Sequence, residues 1–356
     1  MPDIYIISEF GKLGKKDDAL IFYTPEGKSQ ILYPFKIAQL ILIGKISISG
    51  DAIRLLSRHK IPVSFISANG IFNSRLTYAA EKNVLLRQKQ YRMLEDTEQS
   101  LKVAKMIVCG KIKNQISFMQ RIKRKFIQKN SKNTNILELV TAVKTILRNA
   151  KHADDIDSLR GFEGAAAKYY FQVLKYNIQA EWADFPCRSK NPPRTNVNAV
   201  LSFLYTILMN RIEAFIETAA LDPMLGTLHS LHYSSNALVF DLTEEFRVPI
   251  ADTICCDLFN LGILKPNDFE QKILTNESFD YSNDAAPPSD TSTNSILLTQ
   301  QGLRKVIDAF EKKLNTSISA VEQKNISYRE IIFSQIESYK KMLSGACKNY
   351  TPYYFK

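Results

Sequence analysis

A chain of 356 residues with 45% hydrophobic and 23% charged content is long enough for two domains with sizeable cores, which excludes a disordered or fibrous protein. Its net charge of +11 and pI near 9.2 point to a polyanionic partner, nucleic acid before an anionic membrane surface. No secretory signal opens the chain, and the longest useful apolar run, Ala199 to Met209, is about half the roughly 20 residues of a bilayer crossing.

Residues 1–80 read as a small β-rich domain. The segments Ile4–Ile7, Ala19–Tyr23, Gln30–Tyr33, Leu40–Ile43 and Pro62–Ile66 are short and rich in β-branched and aromatic residues. Turn signals at Pro25-Glu26-Gly27 and Asn69-Gly70 punctuate them. One helix interrupts at Ser49 to His59, with Ala52, Leu55 and Leu56 on one face behind a Ser/Asp start. The unit is predicted to be mainly antiparallel. Ile31, Ile41, Ile43 and Phe65 are more large apolar side chains than so small a unit readily buries alone, which favours a partner surface.

From Ala79 onward helical spacing dominates. The predicted helices are 79–94, 97–127, 135–149, 158–181, 196–219, 248–261, 266–274, 299–315 and 325–344. The fold class is therefore α+β: a β-rich domain at 1–80, then a large all-α domain at 81–356. The polar tract Asn276 to Asn294, with two adjacent prolines, reads as a surface insertion. Between Lys102 and Lys132 there are ten basic residues, Lys111 among them, and no acid. A solvated helix face is one reading. Polyanion contact is the other, because ordinary surface helices intersperse Glu with Lys.

Three local frames carry candidate chemistry. Glu163 lies in Arg160-Gly161-Phe162-Glu163-Gly164, accessible between glycines and open to orientation by Arg160, or else a helix-start Glu favoured by the dipole. His229 closes Gly226-Thr227-Leu228-His229, as a ligand or as a packed histidine. Asp241 and Glu244 follow the apolar run Ala237–Phe240; on a helix they are i,i+3 neighbours whose like charges need a cation or proton between them, unless Asp241 is a cap. Carboxylates with one imidazole suit Mg²⁺ or Mn²⁺ better than zinc. Five cysteines without Cys-x-x-Cys spacing argue against a structural zinc and for a reducing, cytoplasmic location. No phosphate loop, dinucleotide fingerprint or nucleophile elbow is present.

The ordered set of motifs resembles the CRISPR-associated spacer integrase family over nearly the whole chain. The matching stretches are Ile43–Ser49, Ala52–Leu56, Ile61–Ser67, Asn69–Leu76, Arg160–Gly164, Pro192–Arg194 with Asn198–Tyr205, Leu221–His229, and Asp241–Glu244 with Arg247. Thr195-Asn196 departs from the Asp-Pro pair common there, and the insertion at 276–294 is long for the family.

The resemblance implies a metal-dependent DNA endonuclease and integrase that joins a 3′-hydroxyl to a phosphodiester. Glu163, His229 and Glu244 would hold Mg²⁺ or Mn²⁺, with Asp241 as an auxiliary acid and Tyr205 as a packing or positioning residue. It implies double-stranded DNA as substrate, with Lys123, Arg124, Lys125 and Arg247 as candidate contacts. A homodimer joined through the β-rich domain would assemble with a small CRISPR-associated acquisition nuclease as a heterohexamer. The alternatives are a non-catalytic DNA-binding scaffold and a general structure-selective nuclease.

Overall fold

Ser49 marks the boundary that organises the N-terminal sheet: its hydroxyl accepts from Ala52 N at 3.2 Å and starts helix α1 (Gly50–Arg58). The structure is a computed structural model that describes residues 2–78, 83–128, 134–189, 192–229, 236–274, 293–319 and 325–355. Strands β1 (Asp3–Lys16), β2 (Ala19–Tyr23), β3 (Ser29–Leu32), β4 (Gln39–Ile48), β5 (Val63–Ile66) and β6 (Phe72–Leu76) stand in the order β3-β2-β1-β4-β5-β6.

The expected antiparallel unit is a mixed sheet. Its flanking pairs are antiparallel, but β1–β4 and β4–β5 run parallel. Helix α1 is the crossover that a parallel β4–β5 connection requires. Its predicted face is buried as Ala52, Leu55 and Leu56, in one cluster with Leu40, Leu42 and Val63. Ile41 and Ile43, on the alternate positions of β4, are also buried, so this central strand reads as a continuous apolar run. Phe65 packs partly against the core, and Ile31 stays exposed. The unit therefore buries more of these side chains than its size suggested.

The second unit is largely helical. It contains α2 (Val84–Glu95), α3 (Thr97–Gln128), α4 (Thr134–Lys151), α5 (Ile156–Asn177), α6 (Asn196–Thr218), α7 (Ala237–Phe246), α8 (Thr253–Asn260), most of α9 (Gln300–Leu314), and α10 (Tyr328–Ser344). The run Ala237–Phe240, absent from the predicted helices, forms the first turn of α7. A π-helical segment, Arg247–Asp252, carries the chain from α7 into α8. Pro249 has no N–H to donate, and the widened turn accommodates it; Thr253 Oγ1 donates to the Pro249 and Ile250 carbonyls at 2.9 and 3.0 Å. Helix α6 is long and apolar enough to cross a bilayer, yet 72% of its most apolar window is buried inside the protein.

The C-terminal region is not all helix. The predicted helix at 266–274 is a short turn, Pro266–Asp268, followed by strand β7 (Phe269–Leu274), which pairs antiparallel with β8 (Thr293–Leu298). Its partner lies beyond the insertion, so a nonlocal ladder overrides a short helical pattern. These two strands group with the N-terminal unit. A second pair joins β9 (Ser317–Ser319) to β10 (Asn325–Ser327). Of the insertion at 276–294, all but Thr293 and Asn294 lies outside the described residues.

Gly44 is the tightest point of the sheet. Its φ is +117°, and a Cβ there would overlap the Ser8 carbonyl oxygen, beside the register shift between Ile7 and Phe10. Gly44→Ala is expected to cost about 3 kcal/mol or more. Gly27→Ala, at φ +78° in open space, should cost only about 1–2 kcal/mol. Urea unfolding followed by circular dichroism compares the two; equal losses would remove the special constraint at Gly44.

Candidate active site

Helix α3 builds the centre of the site from an unexpected residue. Its buried stripe runs through Ala104, Ile107, Val108, Phe118, Met119 and Ile122 at helical spacing, and Lys111, Asn114 and Gln115 occupy positions of that same stripe. Lys111 is thus a buried residue within the basic run, not a surface one. Its Nζ lies 2.5 Å from Glu163 Oε1 and 2.6 Å from Glu244 Oε2. Burial opposes the ammonium charge, but the two carboxylates outweigh it and raise the Lys111 pKa.

Glu163 comes from α5, which Asp155 caps by accepting from Ser158 N at 2.7 Å. Glu163 therefore stands two turns into the helix and is no first-turn dipole residue. A Cβ on Gly161 or Gly164 would meet nothing within 4 Å, so both glycines lie on the open, exposed side of α5. Arg160 orients something else: its Nε donates to the Leu228 carbonyl at 2.8 Å and ties the histidine loop to α5.

Glu244, on α7, is almost wholly buried. Burial alone would raise its pKa, but Arg247, Lys111 and His229 hold it down to about 2. Arg247 Nε takes Oε1 at 3.1 Å. Oε2 has Lys111 as its ionic neighbour yet no well-directed hydrogen bond among the described residues, so it is an acceptor with spare capacity.

Asp241 is an organiser of the loop. Its Oδ2 accepts from Thr227 N at 2.6 Å and Leu228 N at 3.0 Å, and its Oδ1 from His229 N at 3.0 Å. Oδ1 also lies 2.8 Å from His229 Nδ1. The acceptor carboxylate assigns the Nδ1 hydrogen to this bond and turns Nε2 away from Asp241. Burial opposes the imidazolium, but Asp241, Glu244 and Glu163 outweigh it and raise the His229 pKa. Gly226 lets the loop close: a Cβ there would meet the Ala237 carbonyl oxygen at 2.6 Å and Leu238 N at 2.7 Å.

Lys111 thus joins the two predicted carboxylates, and the field of His229 reaches both. Among the described residues no three His, Cys, Asp or Glu side chains stand within common coordination reach. The donor types nevertheless fit Mg²⁺ or Mn²⁺: two carboxylates already face one cation, Glu244 Oε2 has spare capacity, and an oriented imidazole is nearby.

Sequence reasoning missed the support around this pair. Glu245 is buried, its carboxyl bonded by the Tyr350 hydroxyl and, at 2.5 Å, by Tyr353 N. Asn114 donates to the Glu245 and Tyr353 carbonyls at 2.9 and 3.0 Å and accepts from Phe355 N at 2.8 Å. The C-terminal segment is thereby bonded to both α3 and α7. Tyr170 and Tyr205 each donate to Asp252 at 2.6 Å, and the Arg247 guanidinium lies 4.6 Å over the Tyr205 ring. Tyr205 is buried between these partners. The polar Lys111, Asn114 and Gln115 on an apolar period were the one signal that could have pointed to the part α3 plays here. Of the DNA candidates, Arg124 and Lys125 are exposed, Lys123 is half-buried, and Arg247 turns inward to Glu244.

The sequence profile of the family described as CRISPR associated protein Cas1 matches residues 4–279. The chain belongs to the Cas1 family. CRISPR-associated endonuclease Cas1 3 of Thermus thermophilus is 28% identical over 353 residues, covering 98% of this chain and 96% of its own. A casposase bound to its integration product shares the fold with a TM-score of 0.79 at 21% identity, over 99% of this chain and 93% of its own. A chain of a Cas6-RT-Cas1–Cas2 complex does so with a TM-score of 0.80 at 21% identity, over 98% of this chain and 36% of its own.

The paired carboxyls of this Cas1-family chain titrate in opposite directions. Burial pushes Glu245 up to about 8, against which Tyr350 and Tyr353 pull only partly. A raised folded pKa means that this group's stabilising contribution is full below its ordinary 4.5 and is lost as pH rises to about 8. Glu245→Gln should therefore gain on the wild type across that window, by a few kcal/mol at its upper end. Thermal unfolding of both proteins from pH 5 to pH 8.5 checks this; parallel curves would mean that Glu245 ionises normally.

Proposed function

We propose that this chain is a metal-dependent DNA endonuclease and integrase that inserts short DNA fragments into a CRISPR array. The observation that carries the reading is the Glu163–Lys111–Glu244 bridge, two carboxylates built around a cation in a Cas1-family chain. The endonuclease name of its relative and the integration product bound by its structural neighbour support the same chemistry.

Glu163, Glu244 and His229 Nε2 are the residues to hold Mg²⁺ or Mn²⁺. A bound ion supplies a Lewis acid that activates a 3′-hydroxyl or water and screens the phosphate. Asp241 orients His229 and closes the loop that carries it. Arg247 keeps Glu244 ionised from one side, which leaves Oε2 to face the centre. With a 3′-hydroxyl as nucleophile the outcome is strand transfer; with water it is nicking.

The partners in this reading are double-stranded DNA, a second copy of the chain, and Cas2 as the small acquisition nuclease of a heterohexamer. The complex named for the structural neighbour supports Cas2. Phe10, Ile31, Tyr33 and Phe35 support a homodimer through the N-terminal unit, because large apolar side chains exposed together there suit an interface. Five unpaired cysteines support a cytoplasmic location.

Glu163→Gln, His229→Ala and Glu244→Gln should each lower Mn²⁺-dependent cleavage and joining of short duplex DNA about a hundredfold or more. Full activity in any folded variant would remove that residue, and joining without metal would favour neither rival. Cleavage without joining, even with Cas2 present, would favour a structure-selective nuclease; DNA binding with neither reaction, a scaffold. Asp241→Ala should be as damaging as ligand loss, with about 3 kcal/mol of stability lost besides, because five hydrogen bonds end on that carboxylate. If about 6 phosphates are neutralised, log K against log salt should fall with a slope of about −5. A flat dependence would mean that the basic charge is not spent on DNA.

A further inference from the structure

Lys111 is the only buried lysine among the described residues, and it is placed where a cation would sit. Two carboxylates from separate helices converge on its Nζ. Arg247 Nε lies 3.1 Å from Glu244 Oε1 and Lys111 Nζ 2.6 Å from Oε2, so a cation faces each oxygen of that carboxylate. An ammonium on a flexible four-carbon stem can withdraw, whereas the planar Arg247 fork is pinned between Glu244 and the Tyr205 ring.

We propose that the Lys111 ammonium is the resident cation of this site: it holds Glu163 and Glu244 together in the absence of metal, competes with the metal for the same two oxygens, and must swing aside for coordination. This rests on the reading of Glu163 and Glu244 as metal ligands. Without the lysine, two buried carboxylates would face each other and repel. With it, the two carboxylates share one cation and stay close. A divalent ion then enters at the expense of a positive charge a few ångströms away, which weakens its binding. Lys111 therefore sets how much metal the protein needs before it becomes competent.

The test is Mn²⁺ binding to the full-length chain, read by loss of the free-ion EPR signal, for wild type, Lys111→Met and Lys111→Arg. Lys111→Met keeps the stem and removes the charge, and its Kd should fall about tenfold or more. Its metal-free melting midpoint should drop below that of the wild type, and saturating Mn²⁺ should raise it by more than it raises the wild type. Lys111→Arg keeps the charge on a head that withdraws less easily, so it should bind Mn²⁺ no tighter than the wild type. Wild-type binding with equal or weaker binding by Lys111→Met overturns the competition and leaves the metal site standing. Binding by neither chain overturns the metal reading itself. Should Lys111→Met not fold, the arginine variant decides: tighter binding than wild type would overturn the proposal.

Discussion

A lysine ammonium is not buried in isolation; it keeps its charge at depth only where carboxylates answer it. Lys111 of α3 is answered by Glu163 of α5 and Glu244 of α7, and the active-site helices are arranged around this demand. If one carboxylate were lost, the remaining charges would be uncompensated in a medium that solvates them poorly. The same low polarity makes the centre useful, since fixed charges act more strongly there than in water.

The surrounding hydrogen bonds keep that charge pair in register. Asp241 gathers three backbone N–H groups and the His229 ring, and Arg160 holds the loop from the other side through the Leu228 carbonyl. Glu244 and Glu245 are chain neighbours with opposite fates. One faces three cationic groups and is held ionised; the other faces a tyrosine hydroxyl and a backbone N–H, and burial protonates it. Two neighbouring carboxyls are thus driven apart by their surroundings, and the neutral one ties down the C-terminal segment.

The π-helical segment after Glu244 belongs to the same design. It begins at Arg247, whose i,i+3 spacing already brings it to Glu244, and ends at Asp252, which accepts from Tyr170 and Tyr205. A regular α-helix through Pro249 would rotate Asp252 about the axis relative to Arg247.

The sequence alone determined what repeats locally. β-branched and aromatic content located five of the six N-terminal strands, a Ser/Asp start located α1, and helical spacing located α3 to α6, α9 and α10 within a few residues. The frames around Glu163, His229 and Glu244 were legible because unusual residue types crowd into short stretches. The tertiary structure decided what depends on partners distant in the chain. It turned the centre of the sheet parallel, made 269–274 a strand through pairing beyond the insertion, and converted Asp241 from an auxiliary acid into the brace of a loop. It also drew Lys111 out of an apparent surface charge run and set it against Glu163, 52 residues away. Period and propensity are properties of neighbours along the chain. A buried charge is defined by what surrounds it, and only folding brings those groups together.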